Sequence, residues 1–353
     1  MKTPTYDKIH LKFKLNGNKY DHDELNEVAY SLIKEGEPYE KITGNFLLDW
    51  LDEKDYINVQ TSGSTGTPKI IQLSKQAMVN SCIATANFLK LKPGNTALHC
   101  LPTNYIAGKM MLVRAMILGL DMDLVEPTSQ PIFDYDKVYH FAAMLPMQLQ
   151  STLNYLHNVK ILIVGGSSVS KHLIDLTQSI KTKVYATYGM TETATHIALK
   201  PLNNKLQEPY FRVLPKVTVW QDERNCLVID APKVSKERII TNDIVKLHSP
   251  TEFEWLGRID NVINSGGVKL FPEQIEEKLK GKIPHQFFMA SMPDSLFGEE
   301  LIIVLESDSD VLDTSVFEDL DKFEIPKHIY NVPKFKMTPT GKIKRSETLK
   351  LIK

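Results

Sequence analysis

Cysteine is scarce in this chain: three residues in 353, Cys82, Cys100 and Cys226, widely spaced and odd in number. They form no C-x-x-C pair, which excludes a disulfide framework and points to reduced, buried thiols in a cytoplasmic protein. No apolar run approaches the ~18 residues of a membrane span, and Met1-Lys2-Thr3-Pro4-Thr5-Tyr6 lacks the apolar core of a targeting segment. Excess charge is missing too, and a net charge of −1 leaves no basic footprint for nucleic acid. The ten histidines never fall within five residues of one another, which removes any local H-x-x-x-H metal pair. Internal repeats and low-complexity tracts are also lacking. What remains is an ordinary globular composition, 42% hydrophobic and 24% charged, at a length that suggests two domains.

The densest local signal is Thr61-Ser62-Gly63-Ser64-Thr65-Gly66-Thr67-Pro68-Lys69, which follows the strand-like Tyr56-Ile57-Asn58-Val59. It offers almost no apolar surface and cannot pack as core. Its glycines let backbone N–H groups turn inward, its hydroxyls donate, and Lys69 adds charge, so it can wrap a polyanion; a flexible turn is the competing reading. Before it, the pattern predicts a strand over Ile9–Leu15 and helices over about 22–34 and 37–52. After it come a helix capped by Ser74 and ending at Leu89, a buried strand at Ala97–Leu101 and a helix from Lys109 to Leu118. Lys160–Val164 reads as a strand running into Gly165-Gly166-Ser167-Ser168. A helix follows, with Val169, Leu173 and Leu176 on one face, and then a strand at Val184–Thr187, the length that a parallel crossover needs. Parallel sheets bind ligands outside the carboxyl ends of their strands. Gly165-Gly166, Tyr188-Gly189 and the Thr61–Lys69 loop are all expected at such ends.

Past residue 200, short strands at Val217–Gln221, Cys226–Ala231, Arg238–Thr241 and Val245–His248 suggest a small antiparallel sheet. A boundary is expected at Gly257-Arg258-Ile259-Asp260, which gives domains of 1–259 and 260–353. In the second, Pro272 opens a helix with Ile275 and Leu279 on one face and Gly281 beyond its end. Strands at Phe287–Met292 and Leu301–Glu306, a helix, another strand and a terminal helix complete a small α+β lobe.

Three further clusters carry chemistry. In Tyr188-Gly189-Met190-Thr191-Glu192-Thr193-Ala194-Thr195-His196, a tyrosine, a glycine bend and a carboxylate could stack a base, admit a phosphate and hold Mg²⁺; a capped strand-to-helix connection is the plainer reading. Asp243 with Arg258 could embrace a ribose diol or be a surface ion pair. Pro339-Thr340-Gly341-Lys342-Ile343-Lys344-Arg345 could be a catalytic loop or a solvated basic tail.

In order, content and position, these four clusters resemble the adenylate-forming superfamily of acyl-CoA synthetases, adenylation domains and luciferases, over about residues 56–345. The fold implied is α/β: a large N-terminal domain of mixed sheets and packed helices, shortened at its N-terminus, with a small mobile C-terminal α+β lobe. The resemblance implies that Thr61, Ser62, Gly63, Ser64, Thr65, Gly66 and Lys69 hold the β- and γ-phosphates. It places Tyr188 against adenine, with Gly165, Gly166 and Ser167 lining the other side and Gly189 among the nucleotide-binding residues. Thr191 would touch the α-phosphate, Glu192 would bind Mg²⁺, and Asp243 would accept from the ribose with Arg258 assisting. Asp260 would be the hinge pivot, Lys342 the catalytic lysine of adenylation, and Gly266-Gly267 the passage for the phosphopantetheine arm of coenzyme A.

Two departures bear on substrate and assembly. Only about sixty residues precede the glycine loop, fewer than the family usually has, so the surface they would cover is either reduced or covered by a partner copy in a homodimer. Tyr105 stands where the family often has a histidine, and Lys109 follows directly after Gly108. Tyr105–Met111, Thr195–Ala198 and Val262–Gly267 look most like the o-succinylbenzoate–CoA ligases of menaquinone biosynthesis. A dicarboxylate substrate needs a partner for its second carboxylate, and Lys109, Arg114 and His196 are the candidates beside Tyr105. Another aryl or fatty acid, a carrier-protein thiol as acceptor, and a silent nucleotide-binding scaffold are the alternatives.

Overall fold

The computed structural model describes residues 3–60, 70–308, 311–337 and 343–352. Eight helices lie among them: α1 His22–Glu35, α2 Pro38–Leu51, α3 Lys75–Leu89, α4 Ile106–Leu118, α5 Pro146–Thr152, α6 Lys171–Thr177, α7 Pro272–Leu279 and α8 Arg345–Leu349. The caps explain the early boundaries. Asp21 closes a capping box with Glu24 on α1, Pro38 sits in the first turn of α2, and Ser74 accepts from the Ala77 amide at the start of α3.

The expected crossover is present. Strand Ile161–Val164 pairs in parallel with Lys183–Gly189, and α6 runs between them. Val169 and Leu173 are buried, but Val169 precedes the helix and Leu176 is 36% exposed, so the predicted three-residue face reduces to Leu173. Parallel pairing continues outward from Ile161–Val164 through Phe141–Met144, Thr96–His99, Asp121–Leu124 and Lys14–Leu15. Both faces of this parallel half are covered. Alternate residues feed opposite cores: Ala97, Phe141 and Ile163 pack with α1–α4, whereas Leu98, Ala142, Leu162 and Val184 pack on the side of Leu149 and Leu173. That period-2 split is what a sheet buried on both faces requires.

Other expectations are corrected as well. The strand at Ile9–Leu15 shrinks to Lys14–Leu15, because a tight turn precedes it: Phe13 donates to the His10 carbonyl at 2.8 Å, and the Lys12 amide to His10 Nδ1 at 3.0 Å. The Tyr56–Gln60 strand is not part of the parallel sheet. It pairs antiparallel with Ile70–Ser74 in a separate two-stranded ladder, so the ends of Thr61–Lys69 meet at Gln60 and Ile70; the segment itself lies outside the described residues. The strands beyond residue 200 do not form a small sheet of their own. His196–Pro201 pairs antiparallel with Lys183–Gly189, and Phe211–Val213, Glu252–Arg258, Ile239–Ser249, Cys226–Asp230 and Thr218–Gln221 extend the same sheet to thirteen strands.

A second, five-stranded sheet starts at Ile263 and packs Ile275 and Leu279 of α7 against Met289 and Ile303. The helix expected between Glu306 and His328 is a 3₁₀ turn at Thr314–Phe317. The Ile263–Ser265/Val268–Leu270 hairpin turns on Gly266 and Gly267, both at positive φ (58° and 85°), the conformation that a two-residue turn demands. No helix is long and apolar enough to cross a membrane among the described residues.

His99, at the end of a parallel strand, is fully buried with Nε2 3.2 Å from Thr103 Oγ1 and no partner for Nδ1 among the described residues. Burial pulls its imidazole down to about 3. The folded protein therefore refuses a proton that the unfolded chain takes up below pH 6.5. Stability should be complete above that pH and fall as pH drops toward 3, by about 1.4 kcal/mol per unit for this residue. Denaturant melts of the protein and of His99→Gln at pH 7.5 and 5 should show a shallower acid loss in the variant; equal losses would contradict the assignment.

Candidate active site

The parallel and antiparallel halves of the large sheet meet at strand Lys183–Gly189. Its carboxyl end carries Tyr188 and Gly189, and Gly165 and Gly166 follow the neighbouring strand Ile161–Val164. A Cβ on Gly165 would lie 2.3 Å from Thr187 Oγ1, and one on Gly189 would lie 2.4 Å from His196 Cα. Both glycines are thus explained by close approach of adjacent chain, the second letting strand His196–Pro201 pair beside Gly189.

Tyr188, Asp243, Arg258 and Asp260 come together although they are far apart in sequence. Tyr188 Oη donates to Asp243 Oδ2 at 2.6 Å, and Arg258 stands 3.7 Å from Asp243 Oδ1 and 2.8 Å from Asp260 Oδ2. Asp243 and Arg258 are cross-strand partners in one antiparallel pair. Asn242 Nδ2 reaches both Asp260 oxygens at 3.2 Å. Phe253 meets the Tyr188 ring edge-on at 5.1 Å and Phe211 lies 5.7 Å away, which fixes the ring position. Burial, and then the facing Asp243 carboxylate, hold the Tyr188 hydroxyl well above the usual phenol range. It stays a neutral donor, and Asp243 is left 8% exposed with Oδ1 turned to the guanidinium.

Thr191 and Glu192 lie in a one-turn 3₁₀ segment after Gly189, and the Glu192 side chain is exposed. Mg²⁺ binds through one or two carboxylates plus substrate phosphates and water, so a single exposed glutamate at this strand end fits such an ion. No cluster of three metal-ligating side chains occurs among the described residues. Ser167 follows Gly166, and Lys280 reaches from the end of α7 to Ser168 Oγ at 3.2 Å. Thr61–Gly66, Lys69 and Lys342 lie outside the described residues.

The acid-pocket candidates divide into two places. Tyr105 caps α4 and is 37% exposed. Lys109 turns toward α2, with its ammonium 4.7 Å from the Phe46 ring; burial lowers its pKa and Asp49 partly offsets that. Arg114, further along α4, faces the opposite direction. Every residue of Met110–Leu118 is buried, and Arg114 is the one charge among them, 1% exposed. Its Nη2 reaches Thr195 Oγ1 at 3.5 Å, its Nη1 reaches the Met111 sulfur at 3.9 Å, and its Nε has no partner among the described residues. No carboxylate of the described residues pairs with it, and Cys82 is the one titratable group that opposes the downward pull of burial. His196, 5% exposed, completes the group: Nδ1 is 3.5 Å from Thr195 Oγ1, and Nε2 is 3.0 Å from Thr85 Oγ1. Burial, and then the Arg114 charge, keep its imidazole neutral.

Thr85 escaped the sequence reading, which gives Cys82 only as a buried thiol. Both sit on the largely buried α3, and nothing local signals that Thr85 meets a residue 111 positions away. Ala194 does leave a trace. It is a buried alanine at φ 60°, an unusual backbone for a residue with a Cβ, and it turns the chain so that Thr195 and His196 point at α3 and α4.

Comparison with known proteins adds three findings. Residues 14–220 match the family described as AMP-binding enzyme. Among curated relatives, the 2-succinylbenzoate–CoA ligase of Staphylococcus aureus (strain MSSA476) is 22% identical over 92% of this chain and 73% of its own length. That of Listeria monocytogenes is 25% identical over 81% and 68%. Among solved structures, an acyl-CoA synthetase (AMP-forming)/AMP-acid ligase II-like protein from Dyadobacter fermentans is 35% identical, with a TM-score of 0.62 over 92% of this chain and 97% of that one. The O-succinylbenzoate coenzyme A synthetase of Bacillus subtilis, solved with ATP and a magnesium ion, superposes at a TM-score of 0.70 with 18% identity, over 83% of this chain and 69% of that one.

Proposed function

The chain belongs to the AMP-binding enzyme family and is an AMP-forming acid–CoA ligase, and from that premise we propose which acid it activates and which residues act. The acid is an aryl dicarboxylate, o-succinylbenzoate, and the product is its coenzyme A thioester. The observation that carries this reading is Arg114: a buried cation with no carboxylate partner among the described residues, beside the candidate site. Burying an unpaired charge costs several kcal/mol, and a substrate carboxylate entering beside Thr195 would supply the missing partner. The curated relatives named above act on an acid of this kind, which supports the same choice.

The reaction has two halves. A carboxylate oxygen of the acid attacks the α-phosphorus of ATP, the bond to the β-phosphate breaks, and pyrophosphate leaves. The coenzyme A thiol then attacks the acyl carbon, loses its proton, and AMP departs. Tyr188 lies against adenine, with Gly165, Gly166 and Ser167 on the other side. Asp243 accepts from the ribose hydroxyls through the oxygen that faces Arg258. Thr191 contacts the α-phosphate, and Thr61–Gly66 with Lys69 hold the departing phosphates. Glu192 holds Mg²⁺, which offsets phosphate charge when bound. The chain works as two units, 1–259 and 260–353, with Asp260 the pivot and Lys342 on the smaller one. Gly266-Gly267 admits the phosphopantetheine arm.

Asp243→Ala should raise the KM for ATP by roughly 10–100-fold, the scale of a lost hydrogen bond to a charged group. Tyr188→Phe, which frees Asp243 Oδ2 but keeps the ring, should raise it by only a few-fold. Equal KM values in all three proteins would remove Asp243 from the ribose site. The acid itself is tested by pyrophosphate release across aryl mono- and dicarboxylates. Preference for the dicarboxylates supports the reading, and preference for a monocarboxylate overturns it. Retained ATP binding without release for any acid would favour a silent scaffold.

A further inference from the structure

A cleft of about 110 Å³ opens between α3 and the antiparallel half of the large sheet. One wall is the Asn80, Ala84 and Asn87 face of α3, and the other is formed by Leu214, Val217 and Ala231. Its walls, polar on the Asn80 and Asn87 side and apolar at Leu214, Val217 and Ala231, end at a rim that carries Lys216 and Lys233, both exposed and without an ion pair among the described residues. The cleft is pinned open at one end, where Asn80 Nδ2 donates to the Lys233 carbonyl at 2.7 Å.

His196 belongs both to this cleft and to the Arg114 group. Its ring is held by Thr85 on α3 and stands beside Thr195, the hydroxyl that Arg114 touches. One imidazole therefore separates a buried guanidinium from a cleft that leads to solvent. We propose that His196 is the specificity-determining stop of the acid pocket: it sets how far the distal end of the acid reaches, and the cleft behind it is a closed-off continuation of that pocket. This rests on the reading that Arg114 receives the distal carboxylate. With the imidazole removed, a longer chain passes the Thr195–Arg114 group and places its carboxylate toward the lysine rim.

The test measures kcat/KM for pyrophosphate release with benzoates bearing ortho succinyl, glutaryl and adipoyl chains. The wild-type enzyme should favour succinyl. His196→Ala should raise the adipoyl-to-succinyl ratio roughly 10-fold or more, the scale on which one methylene is discriminated in an apolar pocket. His196→Ser, which keeps a hydroxyl beside Thr85, should move the ratio the same way and is measured in parallel in case the alanine variant fails to fold. Adding Ala84→Leu to either variant refills the cleft and should return the ratio to within about twofold of wild type, well inside that discrimination range. A folded His196 variant whose ratio stays at the wild-type value overturns the proposal, as does a ratio that Ala84→Leu does not reverse. A wild-type enzyme that selects succinyl while the variants keep its ratio leaves the proposed function standing and removes only this inference. A wild-type enzyme that activates none of the series removes both.

Discussion

Replacing Arg114 with methionine is expected to lower kcat/KM for o-succinylbenzoate by roughly 10²–10³-fold, the usual loss when one partner of a buried charge pair is truncated. A monocarboxylate analogue lacking the distal carboxylate should lose less than about fivefold, because that ligand never makes the pair. The free enzyme gives a second, independent readout. Arg114 is 1% exposed and meets no carboxylate among the described residues, so exchanging it for an apolar side chain of similar length should leave stability unchanged or raise it. Destabilisation by about 3–5 kcal/mol would mean instead that the guanidinium is already paired in the free protein. Lys109→Met provides the contrast. Its ammonium rests on the Phe46 ring near Asp49, and no hydrogen bond joins it to Thr195 or His196 among the described residues, so the two acids should respond to it alike.

Lys342→Ala is expected to slow ATP-dependent acyl-adenylate formation by roughly 10²–10³-fold, the cost of removing one preorganised donor from developing charge. Thioester formation from supplied acyl-adenylate should be largely retained. Two anions meet in the first half-reaction, and negative charge builds on the α-phosphate there; the second half has no such encounter. A small unit pivoting at Asp260 would let one site serve both geometries in turn. In this structure Asp260 is tied to Arg258 at 2.8 Å and to Asn242 at 3.2 Å, contacts that a pivot would exchange. Equal losses in both half-reactions would assign Lys342 a different role.

Much of the fold around the candidate nucleotide site was legible in the sequence. Ile161–Val164, α6 and Lys183–Gly189 follow from apolar periodicity and from glycines at strand ends, both local signals. Asp243 and Arg258 were readable as a pair because a hairpin brings residues fifteen apart into cross-strand register. What escaped depends on long-range pairing. Nothing in the strands after residue 200 says that they join the parallel sheet through His196–Pro201 and not through one another alone. Nor does the Tyr56–Gln60 run reveal that its partner is Ile70–Ser74. The acid side was half legible for a similar reason. Lys109 and Arg114 share one helix, and a five-residue spacing turns them to different faces. Only the packing of α2, α3 and strand His196–Pro201 sends Lys109 to the Phe46 ring and Arg114 to Thr195.

The most direct test of the account is the mass of the product. Wild-type enzyme with ATP, Mg²⁺ and o-succinylbenzoate should form the acyl-adenylate with one pyrophosphate. On addition of coenzyme A it should form o-succinylbenzoyl-CoA with one AMP. No pyrophosphate, ADP in place of AMP, or an adenylate that coenzyme A does not discharge would contradict it.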